Sequence, residues 1–161
     1  MQENERFYSE RRLPPLMRRC WYSLNQAFRR RIAHLNITPN HYTILRWLSE
    51  YPDGLTQREI ATLMASDANT ITAILTRMEQ QKLIARHPHR SDGRARLITL
   101  EPNGKDLLAQ AHPLAVKLQE EILSALPEEI RDEFLENLST IAMAAQHTLD
   151  AHPSDDTSSA A

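Results

Sequence analysis

A mainly α-helical fold carrying one β-hairpin is what this sequence predicts, and three observations predict it. Apolar residues recur at helical spacing through most of the chain. Glycine is scarce: only Gly54, Gly93 and Gly104 occur, each where an element should end. One stretch, around Asp92-Gly93, has two short runs of β character flanking a turn signal.

The first helix is expected from about Leu13 to Leu35. Pro14 and Pro15 fall in its first turn, where a missing N–H costs nothing. Leu13, Met17, Cys20, Leu24, Phe28 and Ile32 form its apolar stripe, with Trp21 and Leu35 beside them. That stripe is too long for one small neighbouring helix to cover, which hints at a partner chain. Thr38-Pro39 opens a second helix as N-cap and first helical residue. It carries Tyr42, Leu45, Trp47 and Leu48 and stops before the turn signal Pro52-Asp53-Gly54.

Thr56 caps a short third helix with Ile60, Ala61, Leu63 and Met64. After Ala65-Ser66-Asp67 comes a fourth helix. Its Ile71, Ile74, Leu75 and Met78 lie at i, i+3, i+4 and i+7 and bury one face. The other face shows Asn69, Thr70, Thr72, Ala73, Thr76 and Arg77. Strands are expected at Leu83–Arg86 and Arg96–Leu100. Two more helices follow, one with a stripe from Leu107 to Leu123 and a kink expected at Pro113, the other from Pro127 to Leu149. A short helix, a tight turn, a helix with a polar face and then a hairpin describe a winged helix-turn-helix.

In such a unit the second helix enters the DNA major groove and its first residues meet base edges. Asn69, Thr70 and Thr72 suit that task. Asn pairs bidentately with adenine, and Thr offers a hydroxyl and a methyl; Ala73 leaves room for the duplex. The wing adds Arg86, Arg90, Arg94 and Arg96 within eleven residues. Arginine inserted into a narrow minor groove reads DNA shape, and Asp92 can hold Arg94 extended through a charged hydrogen bond.

The net charge of −2 conceals an uneven distribution. Residues 1–35 hold eight arginines against three glutamates, and residues 54–100 seven cations against four acids. Residues 101–161 hold three cations against twelve acids. The charge that faces a partner matters more than the total. Apolar residues at 41% and charged residues at 25% fit a soluble globular chain rather than a disordered one. No stretch nears the roughly 18 apolar residues of a membrane span, the N-terminal segment has no apolar signal core, and the single Cys20 fits a reducing cytoplasm. A cytoplasmic protein without a membrane partner is therefore expected.

Residues 55–108, LTQREIATLMASDANTITAILTRMEQQKLIARHPHRSDGRARLITLEPNGKDLL, resemble the MarR family of transcriptional regulators. The likeness rests on the Asp92-x-Arg94 wing signature, the run Arg77–Ile84 and the strand-to-helix join Leu100–Gly104. Thr38-Pro39-Asn40-His41-Tyr42 matches the start of the family's second helix, and the resemblance spans about residues 12–148. It implies N- and C-terminal dimerisation helices from residues 1–35 and 101–150 and a winged DNA-binding lobe at 36–100; the polar composition of HPSDDTSSAA separately predicts a disordered tail at 151–161. The resemblance also implies a homodimer on a palindromic operator with half-sites about one turn (~34 Å) apart. Arg94 would enter the minor groove braced by Asp92. Asn69, Thr70, Thr72 and Ala73 would face the major groove, and Arg77 and Arg86 would hold phosphates. Members of the family often bind small aromatic or phenolic anions, for which Arg18, Tyr22 and Trp47 could supply a carboxylate clamp and aromatic walls. The expected protein is then a repressor released by such a ligand.

Other readings are weaker. An enzyme needs a nucleophile, a base and an orienting group together; Cys20 lies on the apolar stripe and reads as a buried core thiol, so neither catalysis nor a cofactor is expected. Family members that sense peroxide use a cysteine whose position falls near Pro14 here, which speaks against an oxidant-responsive regulator. His87-x-His89 lacks a cysteine or carboxylate cluster beside it, so no metal is expected and a metal-responsive regulator is disfavoured. A winged-helix protein–protein adaptor would carry a neutral or acidic wing, and this wing carries four arginines.

Overall fold

The computed structural model describes residues 12–88 and 96–151. Helix α1 spans Leu13–Arg31 and passes into a single 3-10 turn at Ala33–Leu35. Then come α2 (Pro39–Glu50), β1 (Leu55–Thr56), α3 (Gln57–Leu63), α4 (Ala68–Gln80), β2 (Ile84–Pro88) and β3 (Arg96–Leu100). Helix α5 (Pro102–Leu123), a 3-10 turn (Glu128–Ile130) and α6 (Arg131–Ala151) complete the order. Two compact units divide between Leu118 and Gln119, inside α5. No described helix is long and apolar enough to cross a membrane.

Local chemistry sets most boundaries. Thr38 accepts the His41 N–H at 3.2 Å and caps α2, with Pro39 as its first residue. Thr56 and Glu59 form a reciprocal capping box on α3. Asp67 accepts the Thr70 N–H at 2.9 Å and caps α4. Gly54, at φ +91°, closes the turn after α2, its N–H donating to the Tyr51 carbonyl at 2.9 Å.

Helices α3 and α4 both end in a paired-bond motif. Ser66 N–H reaches Ala61 O and Ala65 N–H reaches Thr62 O; likewise Leu83 reaches Met78 and Lys82 reaches Glu79. The motif requires one left-handed residue, usually glycine. Here Ala65 (φ +45°) and Lys82 (φ +56°) take it, so glycine-poor sequence does not mean an absence of left-handed backbone.

The sheet is three-stranded and antiparallel, in the order β1-β3-β2. Register pairs Leu55 with Ile98, Arg86 with Ile98 and Pro88 with Arg96. The sequence pattern predicts only the hairpin of β2 and β3. β1 is two residues long, and its pairing depends on a strand some forty positions further on. The core of the first unit holds Ile32, Ile44, Leu45, Ile60, Ile71, Leu75, Met78, Leu83, Ile84 and Ile98, all fully buried. Gly104 in the first turn of α5 fits against the Leu83 carbonyl. A Cβ there would lie 2.1 Å from that oxygen, so no larger residue fits. Helix α5 runs unbroken through Pro113.

In the second unit Arg131 Nε donates to the Leu126 carbonyl at 3.0 Å and ties the start of α6 to the turn before it. No residue of α6 is buried. Cys20 is exposed as well, against its expected place in a core. Over the first turns of the stripe to which it belongs, Leu13, Leu16 and Met17 are exposed too.

Candidate nucleic-acid interface

Helices α3 and α4 and the turn between them form one unit. Ile60 on α3 and Ile71, Leu75 and Met78 on α4 are fully buried and fix the two helices against the same core. The remaining face of α4 is bare: Asn69, Thr70, Thr72, Ala73, Thr76 and Arg77 are all exposed. Ile74, on the edge of the stripe, is partly buried. The structure therefore brings the predicted major-groove residues onto one surface.

That surface is stiffened from beneath. Thr70 Oγ1 donates to Asp67 Oδ2 at 2.6 Å, and this bond, before any other cause, holds the Asp67 carboxyl below its usual pKa. Thr72 Oγ1 donates to the Ala68 carbonyl at 2.7 Å, and Thr76 Oγ1 to the Thr72 carbonyl at 2.8 Å. Gln57, the first residue of α3, reaches across to donate from Nε2 to Thr72 Oγ1 at 2.7 Å. Gln57 had not been singled out from sequence. The only available signal was its position directly after the cap that starts the preceding helix.

In the wing, Arg96 is exposed at the start of β3. Arg90, Asp92 and Arg94 lie outside the described residues. Arg86 is not a free cation: its Nη1 sits 3.4 Å from Glu79 Oε2, and its Nη2 is buried without a hydrogen-bond partner among the described residues. His87 Nε2 lies 3.0 Å from Thr99 Oγ1 across the hairpin, and no group of three metal-ligating side chains occurs among the described residues.

The three residues considered for a ligand do not converge. Arg18 and Tyr22 share a hollow along α1 with Pro15 and Trp21, and Trp47 does not line it. Trp47 packs partly buried against the core. A second hollow, of about 410 Å³, lies between α1, the start of α2 and α4. Trp21, Tyr22, Arg29, His41, Ile74 and Arg77 are among its lining residues. Trp47 comes six residues after His41, about 120° round the same helix, and so misses this hollow too.

His41 was not predicted as a site residue. It is 6% exposed, and its Nδ1 has no hydrogen-bond partner among the described residues. Burial first, and the Arg77 charge second, lower its pKa and favour the neutral ring. Close by, Tyr42 ties three helices together: its ring meets Phe28 of α1 edge-on at 4.9 Å and its hydroxyl lies 3.1 Å from His112 Nδ1 of α5.

A capped helix-turn-helix with a bare polar second helix, followed by an arginine-bearing hairpin, is the architecture of a winged helix-turn-helix. Residues 35–95 match the model of the MarR family. The transcriptional regulator HosA of Escherichia coli is 27% identical over 126 residues, covering 75% of this chain and 93% of HosA. A DNA complex of MepR from S. aureus superposes with a TM-score of 0.76 at 25% identity, over 84% of this chain and 99% of MepR. The transcriptional repressor CouR bound to a 23-mer DNA duplex gives 0.74 at 29% identity, over 81% and 92%. Over residues 35–95 the chain is thus similar to the MarR family, and its fold is that of the solved regulators.

Proposed function

We propose that this protein is a homodimeric repressor that holds a palindromic operator and releases it when a small aromatic or phenolic ligand binds. The observation that carries the reading is the division of α4 into a fully buried apolar face and a bare face of Asn69, Thr70, Thr72, Ala73, Thr76 and Arg77. The DNA complexes of MepR and CouR support it. In this reading Asn69, Thr70, Thr72 and Ala73 meet base edges. Arg77 holds a phosphate. Arg86 leaves Glu79 for another, since a partly exposed pair is worth only about 0–1 kcal/mol. Arg94, braced by Asp92, enters the minor groove, with Arg90 and Arg96 on the flanking backbone. Residues 1–35 and 101–150 form the dimer. In support, Trp21 of α1 is 64% exposed and Phe134 of α6 is 43% exposed, far more than a large aromatic normally leaves to water.

The ligand seat is assigned to the hollow beside His41, which keeps Tyr22 and replaces Arg18 and Trp47 with Arg29 and Arg77. Arg77 and Ile74 belong to α4, so an anion held there acts directly on the helix that reads DNA. A ligand weakening DNA binding ~100-fold needs ~2.7 kcal/mol of coupling.

The test is a gel-shift titration on the DNA upstream of the gene, across a salt series. Sequence-selective binding with a steep salt slope is expected; weak binding indifferent to sequence would sink the operator reading. Arg94→Ala should weaken binding by ~1–3 kcal/mol, and unchanged affinity removes the wing from the account. Release by phenolic carboxylates, lost in Arg29→Gln with DNA binding unchanged, checks the seat. No release by any of them rules the ligand out while leaving the DNA reading intact.

A further inference from the structure

On the bare face of α4 each threonine proton is already spent inside the protein. Thr70 gives its proton to Asp67, Thr72 to the Ala68 carbonyl and Thr76 to the Thr72 carbonyl. A hydroxyl has one proton and two lone pairs. These three residues can therefore meet another molecule only through a lone pair or a methyl group. Asn69 is different: among the described residues its amide makes no hydrogen bond, so it keeps both donor and acceptor.

Thr72 is constrained further. Besides donating to Ala68, its oxygen accepts from Gln57 Nε2 at 2.7 Å. The Ala68 carbonyl lies 3.5 Å from the same nitrogen. Two acceptors face that end of the amide, so it is the nitrogen that belongs there. A helical threonine divides between two χ1 rotamers. The bonds from Gln57 and to Ala68 leave Thr72 one, with its methyl in a single direction.

We propose that Gln57, outside the recognition helix, is a positioning residue for base readout: by locking Thr72 it makes that side chain a reader of the thymine methyl, while Asn69 carries the two-way hydrogen bonding to adenine. The inference rests on the DNA-binding reading above. It has a chemical counterpart in the major groove, where thymine alone presents a methyl and adenine presents a donor beside an acceptor.

Selection from a randomised duplex library tests it with wild type, Gln57→Ala, Thr72→Val, Thr72→Ser and the pair Gln57→Ala/Thr72→Val. Wild type should prefer thymine at one position per half-site by about fivefold or more, the range of a single mismatch. In Gln57→Ala that preference should fall below about twofold, with the other positions and the salt slope unchanged. Thr72→Val keeps a methyl in its one helical rotamer, so it should retain the preference with or without Gln57. Thr72→Ser should lose it even with Gln57 present.

An undiminished preference in Gln57→Ala overturns the positioning role. So does a uniform loss of affinity with a salt slope smaller by about one, which would make Gln57 a phosphate contact. A wild type that selects no sequence overturns the DNA-binding reading itself, and does so before any variant is compared. Thermal unfolding of each variant separates these outcomes from a failure to fold.

Discussion

Helix α4 leaves none of Ile71, Leu75 or Met78 to water, while α1 leaves Leu13 51% and Trp21 64% exposed and α6 buries no residue at all. Both kinds of helix carry apolar stripes at the same spacing. What distinguishes α4 is that the elements covering its stripe lie within its own unit. Helix α4 lies against α3 and the sheet, whose Ile60, Ile84 and Ile98 close over its stripe. Helix α1 reaches the core only near its C-terminal end, at Ala27 and Phe28. Helical stability in water comes mostly from packing such a stripe, which is why the proposed dimer is built on the bare helices and not on α4. Periodicity reports that a face will be buried, and not whose surface buries it.

The largest effect should come from breaking the closed side of this comparison. Leu75→Ala removes a fully buried side chain and should cost about 2–5 kcal/mol in urea denaturation. Its exposed neighbour Thr76→Ala should stay within about 0.5 kcal/mol. Comparable losses at both positions would erase the distinction between the two faces.

The open side is probed by Trp21→Glu. Its dimer dissociation constant in sedimentation should rise about thirtyfold or more, as expected for loss of an aromatic anchor worth ~2 kcal/mol, while the dichroism of the helices persists. A sedimentation profile equal to that of wild type would move the interface away from α1.

A smaller change sharpens the picture of the turn that joins α3 to α4. Ala65 sits at φ +45°, where a Cβ is strained. Ala65→Gly should raise the melting midpoint by an amount equivalent to ~0.5–1 kcal/mol, after the unfolded-state entropy of glycine is deducted. A loss of stability instead would show that the Ala65 methyl contributes more than its strain costs.

The smallest effect concerns His41, whose folded pKa lies below the ordinary 6.5, through burial first and Arg77 second. The unfolded chain takes up its proton at the ordinary value and therefore binds more protons in the window below 6.5. Stability from this residue is complete above that window and falls as the pH drops through it. Urea midpoints at about pH 7.5 and 5.5 should differ more in wild type than in His41→Gln. Equal differences would assign the acid sensitivity to other groups.

Much of this was legible in the sequence. Thr38, Thr56 and Asp67 cap helices through bonds to residues three positions away, and interactions that local leave a local signature. The buried and bare faces of α4 follow from the 3.6-residue period alone. Strand β1 escaped because two residues have no period and its partner is Leu97-Ile98. Arg86 looked like a free cation because nothing adjacent in sequence announces Glu79.

By itself, then, the sequence determined the helices, their caps, the hairpin and the resemblance to a regulator family. Each of these depends on residues within a turn or two of one another. Tertiary structure alone decided which polar groups remain available: Gln57 committed to Thr72, Arg86 to Glu79, His41 enclosed beside Arg77, and Trp47 turned away from both hollows. Those pairings join residues brought together by packing, and a hydrogen-bonding group has only as many partners as its protons and lone pairs allow.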